Sequence, residues 1–206
     1  MSTSGASDVK ASLIVGLTGF GLGVLTAYAQ FWLPEEVGSL ANSAGTWCLI
    51  AVLLALLATS QRAAAAFGVL ALGTLLIGYV SGAAFRDIPS SRSLVAFWGL
   101  AAFVVGPFLG LAAHWIKTEK PIYNAVGAGG ICGLLIGEGV YGLVVIADST
   151  YPPYWWAEIL VGAGLLIWAS ARLRRAQLVG LAVGVATVIA VAFLTVYRLN
   201  LIAFFP

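Results

Sequence analysis

The chain has 206 residues, 61% of them hydrophobic and only 9% charged. A soluble globular domain carries about 25% charged residues and a disordered chain needs low hydrophobicity with high net charge, so both classes are excluded. The net charge of +2 spreads over ten Lys/Arg and eight Asp/Glu without a basic run, and no nucleic acid partner is expected.

Apolar windows separated by short polar or Pro-containing breaks predict seven transmembrane helices, at 13–33, 40–59, 63–81, 94–116, 122–147, 155–171 and 177–197. Each is roughly 17–26 residues long, enough to cross ~30 Å of hydrocarbon. The expected fold is all-α, a polytopic seven-transmembrane-helix bundle in the plasma membrane. No break is long enough for a soluble domain, so residues 1–206 read as one transmembrane domain. Alternating patterning is absent, which argues against a β-barrel.

The first span resembles a signal peptide, with Lys10, the run from Leu13 and the Ala27-Tyr28-Ala29 tripeptide. Its run continues through Phe31 and Trp32 for about 20 residues, so it reads as a retained helix. Loop cations orient the chain. Lys10, Arg62, Lys117, Lys120, Arg172, Arg174 and Arg175 fall on one side, and Arg86, Arg92 and Arg198 on the other. The bias predicts a cytoplasmic N-terminus.

Small residues spaced by four should let backbones approach. Such stripes are Gly19-Gly23-Ala27, Gly106-Gly110, Gly129-Gly133-Gly137 and Gly180-Gly184. Cys48 and Cys132 lie in apolar runs without metal-ligand spacing and read as buried small hydrophobes. His114 is the single histidine, so no His cluster can form. No metal or organic cofactor is implied, and no P-loop, dinucleotide fingerprint or HExxH occurs.

Glu138 is the most informative residue, an acid deep in the fifth span between Gly137 and Gly139. An ionisable group at that depth is a functional-site candidate by default; the plainer reading is a neutral acid joining helices by a hydrogen bond. Tyr141, three residues on, shares its face and could hydrogen-bond to it. Glu158 follows Tyr151-Pro152-Pro153-Tyr154-Trp155-Trp156, and prolines suit a helix start. It is expected near the first turn of the sixth span, where the helix dipole favours its charge; serving that helix end is the plainer reading. Trp47, Tyr79, Trp155 and Trp156, with Gln30, Asn42, Ser43 and Arg86, are candidates to line an aromatic cavity. A belt at the membrane surface and ordinary packing explain aromatics equally well.

A carboxylic acid shielded from water could protonate an alkene or epoxide, with aromatic faces stabilising the carbocation. The segments Asn42-Ser43-Ala44-Gly45-Thr46-Trp47, Gly78-Tyr79-Val80, Gly106-Pro107-Phe108-Leu109-Gly110 and Gly137-Glu138-Gly139-Val140-Tyr141 prompt a comparison. With seven spans and acids among them, the chain resembles the small bacterial integral-membrane terpene cyclases of the drimentine and indosespene type. It also resembles a broader group of uncharacterised actinobacterial membrane proteins. That resemblance implies a lipophilic isoprenoid substrate such as a prenylated indole, met from the membrane lipid. It implies Glu138 as the acid, Glu158 as a second acid or base, and Tyr141 as a further catalytic candidate. A transporter or substrate-binding membrane subunit with Glu138 as a proton switch is the alternative, and an accessory protein without chemistry is a third.

Overall fold

The computed structural model describes residues 3–118 and 120–199. Every regular element among them is helical: α1 (Thr3–Trp32), α2 (Glu35–Gly38), α3 (Ala44–Ala55), α4 (Gln61–Ala84), α5 (Arg92–Trp115), α6 (Pro121–Val145), α7 (Pro152–Leu173) and α8 (Ala176–Arg198). Six of these helices are long and apolar enough to cross a membrane, and a bent pair makes a seventh span if counted as one. The bent pair replaces the uninterrupted helix expected over 40–59. Glu35–Ala41 and Ala44–Ala55 meet at 52°. Asn42 and Ser43 form the break, their N–H groups both turning back to the Ser39 carbonyl.

The described chain divides into two compact units that alternate along the sequence. The first takes the chain to Leu33 and again Thr46–His114. The second takes Pro34–Gly45 and the chain from Trp115 onward.

In the first unit α1 packs along α4. Gly23 and Gly78 let each helix reach the other's backbone: a Cβ on Gly23 would strike Leu75, and one on Gly78 would strike Phe20. The expected Gly106-Gly110 stripe of α5 likewise packs against α4, at Gly68 and Ala64. Asp8 accepts from the Thr59 N–H at 3.1 Å and hydroxyl at 2.9 Å. By residue 59 the chain has therefore returned to the end from which α1 starts. Ser60 then caps α4, its Oγ accepting from the Ala63 N–H at 3.2 Å.

In the second unit α6 packs on both α7 and α8. Pro152 and Pro153 open α7, as expected of prolines at a helix start, and Pro121 opens α6 in the same way. Gly129, Gly133 and Gly137 lie against Ala182, Ala186 and Ala190 of α8. The expected Gly180-Gly184 stripe has open space around both residues. The alanine row takes its place because it has the same spacing of four and offers almost as flat a face. Arg174 ends α7 in the left-handed conformation (φ 55°), and α8 starts two residues later.

Candidate functional site

All the groups of the candidate site belong to the second unit. Glu138, 5% exposed, projects from α6 onto the first residues of α3. Its Oε1 accepts from the Ala44 N–H at 2.7 Å, and its Oε2 accepts from the Ser43 hydroxyl at 3.0 Å and from the Gly45 N–H. The first N–H groups of a helix have no acceptor within it. A nearby Ser, Thr, Asp or Asn usually supplies one; here an acid 94 residues away does so. The positive end of the α3 dipole favours an anion at this point. The break after Ala41 is what frees these donors.

Glu158, 8% exposed, lies nearly two turns into α7, deeper than the expected first-turn position. It therefore does not serve its own helix end. Its carboxyl faces that of Glu138 within hydrogen-bonding reach. Gly45 lies against both: a Cβ there would collide with Glu158 Oε1 and Glu138 Oε2 together. Glu158 Oε2 is buried and has no hydrogen-bond partner among the described residues. Two carboxyls so placed away from water hold one proton between them, because adjacent anions repel. Three donors make Glu138 the acceptor side of the pair.

Trp155, 3% exposed, lies one turn before Glu158 in α7, and its indole covers Gly142, one turn after Glu138 in α6. The indole N–H donates to Thr150 Oγ1 at 2.8 Å, and the ring meets Tyr154 edge-on at 4.8 Å. Trp156, expected beside it, is 58% exposed and points outward. Tyr141 does not hydrogen-bond to Glu138. Its ring packs instead on Tyr197 and Phe193 of α8, at 5.1 and 6.3 Å. Asn42 stands at the helix break, beside Ser43.

The remaining candidates lie in the first unit. Trp47 of α3 meets Tyr79 at 5.9 Å and Trp98 at 6.0 Å, and the Tyr79 hydroxyl donates to Gln30 Oε1 at 3.3 Å. Arg86 donates to the Ala27 carbonyl at 2.7 Å and lies over the Phe31 ring at 3.4 Å. The sequence reading missed Ala44 and Gly45 as donors. Asn42-Ser43 ahead of an apolar run is a helix-start pattern, and that was the available signal.

Long apolar helices enclosing an acid pair define a multi-pass membrane protein. The chain belongs to a family of unknown function, DUF6518, whose model matches residues 2–202. No curated protein and no solved structure matches it.

Proposed function

We propose that the protein is a membrane-embedded terpene cyclase that starts its reaction by protonation. The observation that carries this reading is the buried pair of facing carboxyls, with Glu138 anchored by three donors and Glu158 keeping one oxygen uncommitted. The sequence pointed to Glu138 as the acid; the hydrogen bonds favour Glu158 in that role, with Glu138 as its positioning partner.

Glu158 delivers its proton to the terminal alkene carbon or epoxide oxygen of a linear prenyl chain, such as that of a prenylated indole. The π electrons of the next double bond close the ring, and the positive charge moves along the chain. The Trp155 face, one turn away, stabilises a cation by charge–quadrupole attraction. Loss of a proton from the last carbocation forms the product alkene, and the Glu138–Glu158 pair regains its proton. Atoms balance as an isomerisation, without oxidant or reductant. The substrate enters laterally from the lipid, and the loop cations support a cytoplasmic N-terminus in the plasma membrane.

Mass spectrometry of membranes supplied with farnesyl- and geranylgeranyl-bearing substrates, with and without terminal epoxides, tests this reading. The expected result is an isomeric product of unchanged mass, reduced about 10²–10⁴-fold in Glu158→Gln. An isomer formed at the wild-type rate by Glu158→Gln removes that residue as the acid. No conversion of any substrate favours a second reading, a proton-coupled carrier. One observation supports that alternative: transporter binding sites use broken helices whose N-termini hold anionic groups, and α3 holds Glu138 in that manner.

A further inference from the structure

The other end of the α6–α7 pair carries a groove that the acid pair does not use. It is a half-open cavity of about 180 Å³ between the first turns of α6 and the last turns of α7. Ile116, Ala128, Ile131 and Leu165 make its walls apolar, and Cys132 lies along it. Asn124 and Arg172 are the polar groups of its lining. Asn124 is committed, its amide donating to the Ile116 carbonyl at 3.0 Å. Arg172 is exposed and rests on the Trp168 ring, 3.8 Å from its centre, with no acid paired to it among the described residues. Lys117, Lys120, Arg174 and Arg175 belong to the same helix ends, and the one acid in those stretches of sequence, Glu119, lies outside the described residues.

We propose that this groove binds an anionic phospholipid of the surrounding bilayer, one acyl chain in the apolar slot and the phosphate at Arg172. Three features select that occupant. The slot is below the ~300–1,000 Å³ of a site that engulfs a whole drug-sized molecule, so it takes a stretch of one chain. Arg over Trp at the end of a membrane-spanning helix lies at headgroup level. Basic pockets between transmembrane helices suit acidic headgroups, and neighbouring cations add to the attraction. The site is independent of the cyclase reading.

The test is native mass spectrometry of the purified full-length protein, exchanged into detergent with phosphatidylglycerol or phosphatidylcholine. Phosphatidylglycerol should be retained in preference to phosphatidylcholine. Arg172→Gln should weaken that retention about fivefold or more, while Arg198→Gln, at the far end of α8, leaves it unchanged. Leu165→Trp should displace the chain with all cations still present, and Arg172→Lys should keep most of the retention. Equal retention of the two lipids, or retention untouched by both Arg172→Gln and Leu165→Trp, overturns the proposal. Displacement of phosphatidylglycerol by an equimolar amount of geranylgeranyl diphosphate also overturns it, since the groove would then be a diphosphate site.

Discussion

Two helices of this protein begin in opposite ways. The cap of α4 is local: Ser60 turns its hydroxyl onto the N–H three residues on, at an exposed position. The N-terminus of α3 is capped from a distance, by a buried acid of α6 that reaches Ala44 and Gly45. A local cap ends one helix and does little else. A remote cap fastens two elements together and removes an acid from water, so the packing around it has to satisfy every polar atom. Glu158, with its uncommitted oxygen, departs from that rule. The departure falls on the group that the proposed chemistry uses.

Substitutions at the two caps should separate them on a stability scale. Glu138→Ala leaves the N–H groups of Ala44 and Gly45 buried without an acceptor, and is expected to cost about 3–5 kcal/mol. Thermal melting of the purified protein should show it as the largest loss. Gly45→Ala comes next: its methyl occupies the space of both carboxylate ends, which can move only by giving up their hydrogen bonds. The expected loss is about 1–3 kcal/mol by the same measurement. Ser60→Ala should cost about 1 kcal/mol, the value of an ordinary N-cap. Glu158→Gln keeps the side chain's size and an N–H to offer Glu138, and is expected to change stability least, by less than Ser60→Ala. If Ser60→Ala destabilised more than Glu138→Ala, the contrast between the two caps would be wrong.

The acids were legible because a carboxyl in an apolar run is conspicuous. The prolines that open α7 marked that helix start for a local reason, their missing N–H. The break at Asn42-Ser43 was hidden because 40–59 is apolar enough to read as one span. Asn42-Ser43 was its one local sign, and the acid that holds the new helix start, Glu138, is 94 positions away from Ala44. Tyr141 shows the limit of spacing arguments. Three residues from Glu138 put it on a compatible face, but the rings of α8 hold it elsewhere. Gly180 and Gly184 show the same limit, since spacing of four fits the alanine face of α8 equally well.

The central claim is that the facing carboxyls hold one proton and that Glu158 carries it. Infrared spectroscopy of the purified protein reads this directly through the C=O stretch of a protonated carboxyl. One such band, abolished by Glu158→Gln and retained when Ser60→Ala serves as control, is the expected result. Absence of the band in the wild type, or a band that survives Glu158→Gln and disappears in Glu138→Gln, would contradict it.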